Sequence, residues 1–161
     1  ILANPLQKLG VTLPDPDARW YGEPGVEARE RFMNQARLMK LDAMTDPNSS
    51  EPLSERFWRR YGDAAFQLLE RIREDEDSVR LLIRTAEYTR CEIELAARRE
   101  MIVKLDDFMR RRSKIELVVR WDTIEAAPGL RHACEILFPG EAEEKLEEYL
   151  AQGTPILRAA G

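Results

Sequence analysis

Between Tyr88 and Met109 the residues Tyr88, Cys91, Leu95, Arg98, Ile102, Leu105 and Met109 recur three and four positions apart. That spacing aligns side chains along one face of an α-helix, and all but Arg98 are apolar or nearly so. Such a stripe must be buried against other elements. The spacing therefore predicts one long helix from Tyr88 to about Arg112. Arg98 interrupts the stripe, which implies snorkelling or a partly buried ion pair. Breaking a buried pair costs on the order of 3 to 5 kcal/mol, so Arg98→Ala is expected to destabilise more than Lys104→Ala. On the polar side Glu94 precedes Arg98, Glu100 precedes Lys104 and Asp107 precedes Arg111, each by four residues. This acid-first order supports a helix by ~0.2 to 0.5 kcal/mol per exposed pair.

The rest of the chain repeats the same period. Pro52 suits a first helical turn, and Phe57, Trp58 and Tyr61 lead to Gly62, a residue able to end a helix at positive φ. A helix with Ala64, Leu68, Leu69 and Ile72 on one side precedes the acidic Glu74–Asp77 run. Ile115, Leu117, Val119 and Trp121 alternate as in a short strand, although a helical turn fits them equally. Asp122 or Thr123 can cap a helix that is interrupted at Pro128 and continues to Phe138. Pro139 and Gly140 restart the chain into a last helix over residues 141–152, with Gly153 as its stop. The fold class expected is all-α, a single bundle of about five to seven helices with an extended N-terminal arm. Its core is expected to include Trp58, Leu69, Tyr88, Leu95, Ile102, Leu105, Leu137 and Leu146.

The first 50 residues differ in composition. Pro5, Pro14, Pro16, Pro24 and Pro47 all fall there, among Gly10, Gly22 and Gly25, and such backbone disfavours regular structure up to Pro24. Phe32, Met33, Ala36, Met39 and Ala43 then suggest one helix over residues 26–44. The polar breaker Asp46-Pro47-Asn48-Ser49-Ser50 sets the expected border between a linker or arm, 1–50, and a helical domain, 51–161.

Charge and hydropathy narrow the function classes. The 161 residues carry 25 Lys plus Arg against 30 Asp plus Glu, a net charge of -5, so the chain lacks the overall basic field of a generic nucleic-acid binder. No apolar run approaches the roughly 20 residues of a membrane span. Cys91 and Cys134 are too few for a disulfide scaffold, which favours a reducing, cytoplasmic setting. The chain starts without Met or a signal sequence, so it is expected to be part of something longer. The net charge also conceals two opposed surfaces: Arg110, Arg111, Arg112 and Lys114 form a basic knot, and Glu141, Glu143, Glu144, Glu147 and Glu148 an acidic last helix. A pairing between the two is conceivable.

Catalytic constellations are scarce. His132 is the only histidine, and no G-x-S-x-G nucleophile turn accompanies it. His132, Cys134 and Cys91 offer three soft metal ligands where structural zinc takes four; two buried cysteines and a histidine near the surface is the simpler reading. The glycines at 10, 22, 25, 62, 129, 140, 153 and 161 never fall as G-x-G, so neither a dinucleotide fingerprint nor a Walker loop is present.

The segment Tyr88-Thr-Arg-Cys-Glu-Ile-Glu-Leu-Ala-Ala-Arg-Arg-Glu-Met, followed by Leu105-Asp-Asp-Phe-Met-Arg-Arg-Arg-Ser-Lys, resembles the C-terminal helical domain of FAD-dependent glycerol-3-phosphate dehydrogenases and the related glycerophosphate oxidases. The family pattern falls on Glu92, Ala96, Arg98, Glu100, Met101, Leu105, Asp107, Met109, Arg111, Arg112, Ser113 and Lys114. Cys91, Met109, Ser113 and Lys114 are mild departures that leave size and charge nearly intact. Arg60-Tyr61-Gly62 and Ala126-Ala127-Pro128 also fit, so the resemblance runs from Phe57 to Tyr149, and the first 50 residues lie outside it.

This resemblance implies a parent enzyme that oxidises sn-glycerol 3-phosphate to dihydroxyacetone phosphate, with FAD taking the hydride and a quinone, or oxygen in the oxidases, taking the electrons. It implies that flavin and substrate are held by N-terminal domains of the same chain, so this segment carries no catalytic, cofactor-binding or metal-binding residue. It implies a cytoplasmic parent, peripheral at the inner face of the membrane; the absence of a nucleic-acid partner is expected from the net charge alone. Glu92, Arg98, Glu100, Asp107, Arg111 and Arg112 then become structural or interface residues. Arg98 and Glu100 would join a network between helices, and the Arg111–Arg112 knot would meet the catalytic domain or an anionic membrane. The alternative is a self-standing helical protein-interaction module.

Overall fold

The computed structural model describes residues 25–152. The arm expected over Ile1–Pro24 and the stop expected at Gly153 lie outside the described residues. Among the described residues the chain forms eight α-helices and one two-stranded sheet, an all-α fold as the periodicity predicts. The helices are α1 (Val26–Leu38), α2 (Leu53–Tyr61), α3 (Ala65–Glu74), α4 (Arg90–Arg99), α5 (Ile115–Val118), α6 (Trp121–Glu125), α7 (Gly129–Leu137) and α8 (Ala142–Ala151). Strands β1 (Leu81–Ile83) and β2 (Tyr88–Thr89) pair antiparallel, Leu81 opposite Thr89, with a bulge before Ile83 meets Tyr88.

Helix α4 is the spine between two cores. Cys91 and Leu95 face the first, made of Phe32, Ala36, Leu41, Leu53, Phe57, Ala65, Leu68, Leu69 and Ile72. Ile93 and Ala96 face the second, built on Ile83, Leu105, Phe108, Met109, Ile115, Ile124, Leu130, Leu137, Leu146 and Tyr149 among others. Its apolar residues thus divide between two faces, and Arg90, Glu94 and Arg98 run along a third. Because α1 supplies Phe32 and Ala36 to the first core, the border expected at residue 50 falls inside a shared core. The Asp46–Ser50 breaker is a loop within it, stitched by Thr45 and Asp42 side chains that accept the N–H groups of Leu53 (3.1 Å) and Ser54 (2.9 Å).

The single helix expected over Tyr88–Arg112 is broken. Thr89 and Glu92 form a capping box that starts α4, which ends at Arg99 as Glu100 turns extended, φ -114° and ψ 142°. The Asp107 carboxylate accepts the N–H groups of Val103 (3.3 Å) and Lys104 (3.0 Å). An aspartate that captures backbone donors competes with the helical ladder, and the adjacent β-branched Ile102 and Val103 weaken that ladder. After this break Asp107–Arg112 winds as a wider π-helical turn, with Ser113 N–H bonded five residues back to Phe108 O at 2.8 Å. The Ser113 hydroxyl donates to the same oxygen at 2.7 Å.

Burial nonetheless follows much of the predicted stripe: Cys91, Leu95, Leu105 and Met109 are buried, Tyr88 and Ile102 half-buried. Of the other expected core residues Leu69, Leu137 and Leu146 are buried, whereas Trp58 is half-buried against the first core. Gly62 takes the expected positive φ, 51°. The alternating residues 115–121 adopt the helical reading, with α5 and α6 where a strand was the other option. Sequence reasoning did not anticipate β1 and β2. Their pairing matters for what packs on them: at Gly129, the first residue of α7, a Cβ would stand 1.7 Å from the Leu82 carbonyl oxygen. Only glycine allows α7 to lie this close to β1.

Candidate functional site

The strongest polar chemistry lies at the junction of α2, β2 and α4. Glu92, in the first turn of α4, has no exposed surface. One carboxylate oxygen accepts from Arg60 Nη1 at 2.7 Å, the other from the Thr89 N–H (2.8 Å) and hydroxyl (2.9 Å). Arg60, at the end of α2, also donates to Glu87 O (3.1 Å) and Ala86 O (3.2 Å). Its guanidinium lies 4.3 Å from the centre of the Tyr88 ring, a cation–π arrangement. Burial works against the Arg60 charge, but Glu92 outweighs it and holds the guanidinium above its ordinary value. Burial, reinforced by Glu92, pushes the neighbouring Tyr61 phenol upward, so it stays neutral.

A second buried pair stands beside the first. Arg56, only 1% exposed, donates to Glu87 at 2.8 Å. Glu87 sits at φ 52° and also accepts from the Ser50 N–H (2.6 Å) and hydroxyl (3.1 Å). Burial raises the Glu87 carboxyl, but the Ser50 and Arg56 donors outweigh it and leave the group below its ordinary value. Farther along, Glu94 bridges Arg71 of α3 and Arg90 of α4, the latter at 2.9 Å without hydrogen-bond geometry. Glu94, Arg71, Arg90 and Asp75 thus tie α3 to α4.

The residues singled out from sequence separate into distinct places. Glu92 is the buried hub. Arg98 takes the solvated alternative over the partly buried pair: its side chain is 66% exposed and reaches Glu94 only at 3.9 Å, because α4 buries its other faces and ends one residue later. It stands at the margin of the Glu94 network that ties α3 to α4. Glu100, Asp107, Arg111 and Arg112 cluster at the break after α4. Arg111 pairs with Asp107 at 3.1 Å, and Arg112 approaches Glu100 at 3.3 Å without hydrogen-bond geometry. The basic knot thus pairs locally. The acidic α8 instead meets Lys104 through Glu148 and Arg131 through Glu143, so the pairing of knot with last helix does not form among the described residues.

Around this break Met101, Val103, Leu117 and Val118 are exposed large hydrophobics, Met101 at 88%. Arg110, Arg111, Arg112 and Lys114 are exposed on the same stretch. Arg56, Arg60 and Glu87 are the polar residues that sequence reasoning missed, apart from the resemblance at Arg60-Tyr61-Gly62. A signal was available: Leu53, Arg56, Phe57 and Arg60 fall at i, i+3, i+4 and i+7, so both arginines share the apolar face of α2.

Thiol and metal chemistry find no assembled site. Cys91 and Cys134 are buried in different cores, and burial pushes their thiols up to about 12 and about 11. His132 is exposed on a mostly apolar groove of about 530 Å³ with Leu81, Leu82, Ala126, Ala127 and Pro128. Among the described residues no group of three or more His, Cys, Asp or Glu is placed to hold a metal ion. No helix there is long and apolar enough to cross a membrane. Among the described residues Gly129, at the start of α7, has the Leu82 backbone against it and does not offer the open glycine backbone at a helix N-terminus on which a flavin pyrophosphate usually rests.

The fold is thus all-α, with the Glu92–Arg60 and Glu87–Arg56 pairs turned inward and exposed apolar and basic residues along the stretch from Met101 to Val118. A family model described as the C-terminal domain of alpha-glycerophosphate oxidase matches residues 26–138, well over half of the chain, and the chain belongs to that family. Its parent is thereby an oxidoreductase of the flavin-dependent class. The match takes in α1, which the resemblance from Phe57 to Tyr149 leaves out. No match was found among curated proteins or solved structures.

Proposed function

We propose that this chain is the C-terminal accessory domain of a flavin-dependent glycerol-3-phosphate dehydrogenase. The parent oxidises sn-glycerol 3-phosphate to dihydroxyacetone phosphate, with electrons passing from FAD to a quinone. The family match over residues 26–138 carries this reading. FAD and substrate are held by N-terminal domains of the same chain, and the present residues take no part in the redox step. Their strongest ionic groups support that division, because Glu92, Arg60, Arg56 and Glu87 are consumed in holding helices and strands together.

Docking onto the catalytic domains uses the edge after α4. There Met101, Val103, Leu117 and Val118 offer apolar area and Arg110 to Lys114 offer positive charge, a combination suited to an apolar patch with an acidic rim. The parent works in the cytoplasm as a peripheral protein at the inner face of the membrane. The test is purification of the full parent protein. Bound flavin and sn-glycerol 3-phosphate-dependent reduction of a soluble quinone are the expected results. A parent without flavin overturns the reading. Turnover with oxygen in place of quinone makes it the oxidase type.

A further inference from the structure

A cavity of about 200 Å³ opens between the loop after α1, helix α2 and strand β1, and three of its lining side chains are arginines: Arg56, Arg80 and Arg84. Asp46 is the one carboxylate lining it. That carboxylate is already engaged by the Asn48 N–H at 3.0 Å, the Asn48 side-chain amide at 3.3 Å and Arg84 at 2.9 Å. Arg80 makes no ion pair among the described residues. Arg56 is 1% exposed, and its Nη1 reaches Glu87 and Ser49, yet its Nε–H is buried without an acceptor. A buried guanidinium donor left unmatched is costly, and native structures rarely tolerate one without a ligand or water to accept from it.

We propose that this cavity is a binding site for a tetrahedral oxyanion of the phosphate class, either free or as a small monoester. Several guanidinium forks around one space suit an acceptor with oxygens in more than two directions, which a phosphate offers and a carboxylate does not. One water takes ~30 Å³, so the cavity accommodates such an anion together with part of its hydration or a short ester group. Arg80 supplies the uncompensated charge and Arg84 a fork held in place by Asp46, and the Arg56 guanidinium, paired with Glu87, forms the floor behind them. The assignment stands apart from the parent enzyme's activity, since it uses only the lining of this cavity.

The test is titration of the 161-residue chain with inorganic phosphate, followed by arginine Nε–Hε resonances in nitrogen-15 NMR spectra and by calorimetry. The expected result is a saturable shift of the Arg56 Nε–Hε signal, absent with sodium chloride at matched ionic strength and at least tenfold weaker with acetate. Methyl phosphate separates the two sources: binding at least as tight as inorganic phosphate identifies a monoester site, and weaker binding a free-anion site. Arg80→Gln, at an exposed and unpaired position, is expected to raise the dissociation constant at least tenfold with an unchanged circular dichroism spectrum. Arg84→Gln should weaken binding further, because it also frees the Asp46 charge. A linear response shared by phosphate and chloride overturns the proposal in favour of a water-filled cavity. So does phosphate affinity that survives both substitutions.

Discussion

Removing the Glu92 carboxylate should cost more than any other single polar truncation in this fold. Glu92→Ala leaves Arg60 without its 2.7 Å partner and the Thr89 N–H and hydroxyl without acceptors. Breaking a buried pair from one side costs ~3 to 5 kcal/mol, and losing an N-terminal cap ~1 kcal/mol. These contributions overlap, because one carboxylate serves both. Arg60 keeps compensation from the Glu87 and Ala86 carbonyls and the Tyr88 ring, and its side chain is 19% exposed, which favours the low end. A loss of ~3 kcal/mol follows, a large part of the ~5 to 15 kcal/mol typical of a domain. At ~2 to 4 °C per kcal/mol for a chain of this size, the melting temperature should fall by ~6 to 12 °C. The assay is urea unfolding followed by circular dichroism at 222 nm, with Arg60→Met, Glu92→Met and the double variant Arg60→Met/Glu92→Met forming a cycle. The double variant should recover much of the loss, since no charge is left unpaired. A Glu92→Ala midpoint within ~1 kcal/mol of the parent sequence would refute the buried-hub argument, as would a double variant that simply adds the two single costs.

Other substitutions test the remaining features. Arg98→Ala should change stability by no more than ~0.5 kcal/mol and Lys104→Ala should leave the melting temperature unchanged, because both pairs are at the surface; a markedly larger loss for Arg98 would favour the partly buried pair that its stripe position also allowed. Gly129→Ala should destabilise by ~1 to 3 kcal/mol through the clash with Leu82 backbone, despite the better helix propensity of alanine; stabilisation on thermal melting would deny the close approach. Glu87→Gln and Glu116→Gln should show opposite pH signatures. The Glu87 carboxyl lies below its ordinary value when folded, so it stabilises above the unfolded pKa of ~4.3 and loses that contribution as pH falls through the folded value. Burial first, then Asp106, raise the Glu116 carboxyl against the pull of Arg110; its charge therefore opposes folding once pH exceeds the unfolded value, with the full penalty above the folded one. Melting at pH 7 should rank Glu116→Gln above and Glu87→Gln below the parent sequence, with the Glu116 difference lost below the unfolded carboxylate value and the Glu87 difference lost only as pH falls through its lowered folded value. A ranking independent of pH would exclude these ionisations as the cause.

The contrast between Arg98 and the pair Arg56 and Arg60 shows what the sequence made legible. Periodicity located the apolar residues well: Cys91, Leu95, Leu105 and Met109 are buried as their spacing predicts, although the helix carrying them stops at Arg99. Burial survives the break because the π-helical turn at 107–112 returns Phe108 and Met109 to the second core. The break itself was set by a side chain. Asp107 reads as a helix-supporting acid four residues before Arg111, and it does pair with Arg111, yet it also accepts two backbone N–H groups from the preceding turn. Helical spacing alone contains nothing that chooses between those uses. For the arginines, position in an apolar stripe states where a Cβ points; it does not state whether a carboxylate is waiting there. Glu87 and Glu92, which meet Arg56 and Arg60, flank β2, whose pairing with β1 involves only two and three residues, too short to leave a periodic signature. Arg98 projects from the last turn of α4, where the next element turns away. The same local pattern is thus a buried hub in one helix and a solvated end in another, and tertiary contacts more than 25 residues apart in sequence decide which.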